Sequence, residues 1–175
     1  EEDEGYIGGT EDPRIVYGFG GVIAYKNIDF NFFFQGTADA HRVIGNSTIF
    51  LPGSGTTVQG NAYSENLDDR WTDDNQDPYA FWPRLTYGPN KNNYRASTWW
   101  KKDMSFLRLK TVEIGYTFPK KWMEKIYSKG ARVFVSGNNL LCFSPFKLWD
   151  PELGTNNGLK YPMNRSILFG IDINF

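Results

Sequence analysis

The sequence predicts an all-β protein of antiparallel strands, either the wall of a transmembrane β-barrel or a soluble β-sandwich. Three observations lead there. Bulky apolar side chains alternate with small or polar ones in four stretches and, with a flaw, in a fifth, a period of two that a helix does not produce. Aromatic residues make up 17% of the 175 residues, with 18 glycines, a composition that suits strands and turns. The links between stretches are alternately short and long, as in outer-membrane barrels, where tight turns face one side and long loops the other.

The stretch 14–25 sets Ile15, Tyr17, Phe19, Ile23 and Tyr25 against the small residues Val16, Gly18, Gly20, Val22 and Ala24. Lys26-Asn27 is a short polar link suited to a hairpin turn. In 28–37, Ile28, Phe30, Phe32 and Phe34 oppose Asp29, Asn31, Phe33, Gln35 and Thr37. The flawed stretch is 104–118. Val112, Ile114, Tyr116 and Phe118 share one side, but Leu107 and Leu109 have the other parity. Either a bulge shifts the register near Lys110-Thr111, or those leucines face the polar side.

In 131–143, Val133 and Val135 oppose Arg132, Phe134, Ser136 and Asn138. The final stretch, 166–175, alternates most cleanly, with Ile167, Phe169, Ile171, Ile173 and Phe175 on one side. Residues 119–130 predict a short helical turn begun after Pro119 and ended at Gly130, with Trp122, Ile126 and Tyr127 as its buried or interfacial stripe. The long connections 38–103 and 144–164 are read as extracellular loops, and no domain boundary is evident within 1–175.

Several function classes are excluded or disfavoured. A formal net charge of -1 supplies no field for nucleic acid. One cysteine, Cys142, and one histidine, His41, rule out an internal disulfide and any cysteine or multi-histidine metal cluster. No run approaches the roughly 18 apolar residues of a spanning helix. Residues 1–5 lack the basic start and apolar run of a signal peptide, so any export signal is expected upstream. Nothing pairs a nucleophile with a base, so no enzyme activity is expected.

Period two alone does not choose between barrel and sandwich. The bulky sides suit lipid as well as a core, and the opposite sides carry the Gly, Ser, Asn, Asp and Thr of a hydrated lumen. About five strands would also leave unpaired edges, which in lipid must be closed by further strands.

The residues then meet a known family. Residues 105–119 (SFLRLKTVEIGYTFP) and 131–141 (ARVFVSGNNLL) resemble consecutive segments of the SusC/RagA class of TonB-dependent outer-membrane transporters of Bacteroidetes. Asp150-Pro151-Glu152, Tyr161-Pro162 with Arg165, the closing strand to Phe175, and Tyr17-Gly18-Phe19 with Phe33-Phe34-Gln35-Gly36 are similar to further segments in family order. Residues 38–103 align with nothing in the family, and 1–12 lack its aspartate-rich pattern, so ligand contacts do not carry over.

The resemblance implies a 22-stranded antiparallel transmembrane β-barrel with an internal plug, residues 1–175 supplying about the last five strands. It implies location in the cell outer membrane and import of glycan oligosaccharides or peptides with a SusD-like surface lipoprotein. TonB-ExbB-ExbD would act through the N-terminal part, absent here, and the remaining partners would be outer-membrane lipid and the rest of the barrel. Phe175 resembles the closing aromatic read as a barrel-assembly signal. Alternatives are a soluble carbohydrate-binding β-sandwich module and a TonB-dependent siderophore receptor.

The loop 38–103 is rich in aromatics and amides. Trp71, Tyr79, Phe81, Trp82 and Tyr94 are its candidate ligand-binding residues, because sugar rings stack on aromatic faces. The competing reading is that such rings, Tyr63, Tyr87, Trp99 and Trp100 among them, fold the loop, pack on a partner or sit in an interfacial girdle. No cofactor is expected. Asp68, Asp69, Asp73, Asp74 and Asp77 offer oxygen ligands for Ca²⁺ but lack the glycine-centred loop, so a solvated acidic loop is the plainer reading. His41 reads as an ordinary loop residue, and Cys142 as a small apolar one.

Overall fold

The computed structural model describes residues 4–45, 64–86, 90, 92–93 and 95–175. Five long strands, β1 (Ile15–Tyr25), β2 (Ile28–Ala38), β5 (Phe106–Thr117), β6 (Gly130–Phe143) and β7 (Ser166–Asn174), make one antiparallel sheet in the order β1-β2-β5-β6-β7. Two short strands inside the long loop, β3 (His41–Val43) and β4 (Lys101–Asp103), pair with each other. The β1–β2 hairpin closes at Tyr25↔Ile28, with Lys26 at a φ of 55°, as a two-residue turn requires.

The sheet is open. β1 and β7 are its two outer strands and do not pair with each other, so the described strands close no barrel. This corrects the expectation of a transmembrane β-barrel and of five strands of a 22-stranded plugged barrel. The physical reason is that alternation reports only which side of a strand is apolar. Closure depends on strand number, tilt and stagger, which a period of two does not encode. Among the described residues no helix is long and apolar enough to cross a membrane, an observation that does not bear on strands.

The flaw in 104–118 is a bulge. Phe33 pairs with Thr111 and Phe34 with Leu109, which leaves Lys110 as the extra residue on β5. On the other flank Leu109 pairs with Leu141 and Thr111 with Asn138, and Asn139 takes a left-handed φ of 54°. The bulge returns Leu107 and Leu109 to the side of Val112 and Ile114.

One face of the sheet is thereby continuously apolar, from Phe19 through Phe34, Ile114 and Val135 to Phe169. Phe19 stacks on Phe34 with ring centroids 5.2 Å apart, and Phe32 stands edge-on to Phe34 at 6.0 Å. This face stays uncovered within the chain: Phe19, Ile23, Ile114, Ile171 and Phe169 are 52%, 60%, 53%, 68% and 77% exposed. Each such side chain left in water forgoes about 1.5–3 kcal/mol.

The opposite face carries the charge. Arg132 on β6 reaches over β5 to Asp29 on β2 at 2.5 Å and to Glu113 at 2.7 Å, with Asp172 on β7 at 4.0 Å. Gly115 makes that reach possible, because a Cβ there would stand 2.6 Å from the Arg132 Cζ. The hydrogen bond from Arg132 holds the Asp29 carboxyl below the usual carboxylate range, and the Arg132 pKa is raised in turn.

The buried core lies off the sheet, in the loops. Ala40, Ile44, Trp82, Trp100, Met104 and Phe146 form it, with Phe81, Trp99, Leu148 and Trp149 packed around them. At the other end, residues 119–130 hold a one-turn helix, Lys120–Met123, followed by a 3-10 turn. The expected stripe differs from the observed one: Met123 is buried, whereas Trp122 and Tyr127 are exposed, and the Ile126 side chain lies outside the described part.

Candidate functional site

The loop 38–103 leaves and returns to the sheet through the β3–β4 ladder, which pairs His41 with Asp103 and Val43 with Lys101. Backbone bonds extend the ladder at both ends, Met104 N–H donating to Ala40 O at 2.8 Å and Ile44 N–H to Trp100 O at 2.9 Å. Above it, a 3-10 turn at Thr98–Trp100 aims the two indoles at neighbouring chain segments. Trp99 Nε1 donates to Phe81 O at 3.2 Å and Trp100 Nε1 to Asn93 O at 2.8 Å. Trp71 and Trp82 are joined by a backbone bond of 2.9 Å, Trp71 N–H to Trp82 O.

These segments enclose a cleft of about 1260 Å³ lined by Tyr6, Trp71, Pro83, Asn92, Asn93, Ala96, Trp99 and Trp100. Two arginines stand on its wall, each paired with a carboxylate: Arg84 with Asp73 at 3.1 Å and Arg95 with Glu4 at 2.9 Å. Indole and phenol rings beside amides and guanidinium groups can stack on a ring and hydrogen-bond its substituents.

Of the candidate ligand-binding residues, the structure puts Trp71 on the cleft wall. Trp82 is buried at 4% exposure with its ring 6.0 Å from that of Trp100, and Phe81 packs edge-on against Trp82 at 5.0 Å. Tyr79 is 92% exposed, next to the cleft-lining Pro78. Tyr94, Tyr63 and Tyr87 lie outside the described residues. Phe175, at the far end of the sheet, is exposed, and its backbone oxygen accepts from Lys129 Nζ at 2.7 Å. Sequence reasoning missed Tyr6, Arg84, Arg95, Asn92 and Asn93. Tyr6 meets the other four from the start of the chain, as Glu4 meets Arg95 across 91 positions, and no spacing rule joins them.

The aspartate run does not gather. Asp73 faces Arg84, and Asp77 Oδ1 accepts from Tyr79 N–H at 2.8 Å. Among the described residues no group of three or more His, Cys, Asp or Glu side chains is placed to hold a metal ion. His41 Nδ1 lies 3.6 Å from Asp39. Cys142 faces the polar side opposite Arg108, and burial pushes its thiol pKa up.

A second polar cluster ties the loops to the sheet. Arg108 on β5, 3% exposed at its side chain, places Nη2 2.6 and 2.7 Å from the two Asp150 oxygens and Nε 2.6 Å from Glu152. Burial works against its charge, but the hydrogen bond to Asp150 and the two carboxylates outweigh it, and the pKa is raised.

No family model matches the chain. Among known proteins it is similar to TonB-dependent receptor P26 of Formosa agariphila, at 32% identity over 188 residues, 99% of this chain and 18% of that receptor. TonB-dependent receptor P3 of the same organism is 29% identical over 95% of this chain and 17% of its own length. TonB-dependent receptor SusC of Bacteroides thetaiotaomicron is 23% identical over 92% of this chain and 15% of its own. Among solved structures, the RagAB peptide importer in its "closed-closed" state superposes with a TM-score of 0.72 and 26% identity over 94% of this chain and 17% of that one. Its "open-open" state gives 0.71 and 28% with the same coverage.

The chain is thus distantly homologous to TonB-dependent receptors of the SusC/RagA kind and spans less than a fifth of the length of those relatives. The homology is to a non-catalytic transport system. It supports an outer-membrane location at the level of the family, and RagAB is a two-component complex. The expectation of a C-terminal importer segment that takes up glycan oligosaccharides or peptides with a SusD-like lipoprotein is corrected. The sheet is open, not a membrane-spanning barrel segment, and the homology reaches only as far as a transport-related role.

Proposed function

We propose that the chain has a transport-related role in a TonB-dependent receptor system at the outer membrane, with its loop layer as the part that recognises a carbohydrate ligand. The observation that carries this reading is the cleft of about 1260 Å³, whose wall combines Trp71, Trp99 and Tyr6 with Asn92, Asn93 and Arg84. Rings offer apolar platforms at low conformational cost, and the amides and guanidinium suit hydroxyl groups. Tyr79 extends the site at its rim, whereas Trp82 and Phe81 support it from below. A SusD-like surface lipoprotein is the proposed second component, because RagAB, which this chain resembles, has two.

Tryptophan fluorescence titration of the intact protein with neutral oligosaccharides and with peptides tests the reading. A saturable change with an oligosaccharide is expected. Trp71→Ala should weaken it about tenfold, as loss of a ring contact of about 1.5 kcal/mol implies. No saturable response to any carbohydrate removes the proposal.

A further inference from the structure

Two segments that the ligand reading leaves unused meet in space. Arg108 lies in the run 105–119, and Asp150 and Glu152 stand 42 and 44 positions further along the chain. Asp150 is the N-cap and Glu152 the middle residue of a 3-10 turn at Pro151–Leu153, whose first amide is capped when Glu152 N–H donates to Asp150 Oδ1 at 3.0 Å. The turn presents both carboxylates to one guanidinium: Nη2 donates to Asp150, Nε lies 2.6 Å from Glu152 as an ion pair without hydrogen-bond geometry, and Lys110, the bulge residue, stands 3.9 Å from Glu152. A planar guanidinium fork spans two neighbouring carboxylates from different nitrogens, which a single ammonium does not.

The segment so held, 144–157, is also bonded near both of its ends. Its near end is bonded by Ser144 Oγ to Ser105 O at 2.8 Å. At its far end Gly45 N–H donates to Asn156 O at 3.2 Å, and Arg42 Nη1 to Asn156 Oδ1 at 3.1 Å. Between them it inserts Phe146, 4% exposed, into the aromatic core beside Phe81. Trp149 packs edge-on against Phe146 at 4.8 Å.

We propose that Arg108 is a latch that holds the 144–157 segment down on the polar face of the sheet, so that breaking it frees this segment and the aromatic core it carries while the strand ladder persists. The guanidinium is a positioning group, and the inference stands whether or not the cleft binds a carbohydrate. Removing it leaves two carboxylates side by side with Lys110 3.9 Å from one of them, a charge arrangement that favours lifting of the segment into water.

Hydrogen–deuterium exchange on the intact protein carries the test. Arg108→Gln is expected to speed exchange in 146–157 at least tenfold and to leave the β1–β2 amides within twofold of the parent. Arg108→Lys, which keeps the charge and loses the fork, is expected to fall between parent and Arg108→Gln, and it carries the same comparison if Arg108→Gln does not fold. Unchanged exchange in 146–157, or equal acceleration there and in β1–β2, overturns the latch. Parent-like exchange in Arg108→Lys overturns the requirement for the fork.

Discussion

The sheet and the loop layer hold similar side chains in opposite circumstances. On the sheet, Phe19, Phe169 and Ile171 stand in a continuous apolar face and are each more than half exposed. In the loops, Trp82, Trp100 and Phe146 are buried to 4% or less, although their segments have little regular structure. The ladder of backbone bonds therefore holds the sheet without a core, whereas the loop layer is held by a core with few ladders. A large exposed apolar face marks a surface whose neighbour lies outside the chain, and the core marks the part that is internally complete.

Substitutions across this divide should separate most sharply. Trp100→Ala is expected to cost about 3–5 kcal/mol in denaturant unfolding, as truncation of a buried ring does. Phe169→Ala, on the exposed face, should change stability by less than about 0.5 kcal/mol. Equal costs would erase the distinction. Within the sheet, Gly115→Ala should lower the melting temperature, because the new methyl takes the space through which Arg132 reaches Asp29. Thermal unfolding that matches the parent would show that the reach is dispensable.

The smallest effect concerns pH. Asp29 titrates below its ordinary range in the folded chain because Arg132 donates to it. A depressed carboxylate contributes stability that is complete above its unfolded pKa of about 4 and is lost as pH falls through the folded value. Stability should therefore fall as pH drops below about 4, and Asp29→Asn should flatten that slope in thermal melts at stepped pH. A variant with the parent's slope would assign the acid sensitivity to other carboxylates.

The two regions were unequally legible in the sequence. An antiparallel sheet with one apolar face is written in the alternation of 28–37 and 166–175, and even the bulge left a trace, as the change of parity between Leu109 and Val112. Whether the sheet closes is not written there, since five strands of one period are compatible with several architectures. In the loop layer the local signal fails. β3 and β4 are three residues each and pair across some sixty positions, too short for any period to register. An aromatic-rich loop reads the same whether its rings are platforms or core. Only the tertiary contacts distinguish Trp71 on the cleft wall from Trp82 beneath it. The Arg132–Asp29 pair spans 103 positions and was equally silent.

The odd number of strands in the main sheet has a practical consequence for labelling. β1 begins beside Ala38 at the loop end, while β7 finishes beside Gly130 at the turn end. Phe175, which follows Asn174, is thus roughly 30 Å from the loops, at about 3.3 Å per strand residue. A fluorophore attached there should report on the molecule without crowding the cleft. One attached near Tyr6 would sit on the cleft wall itself.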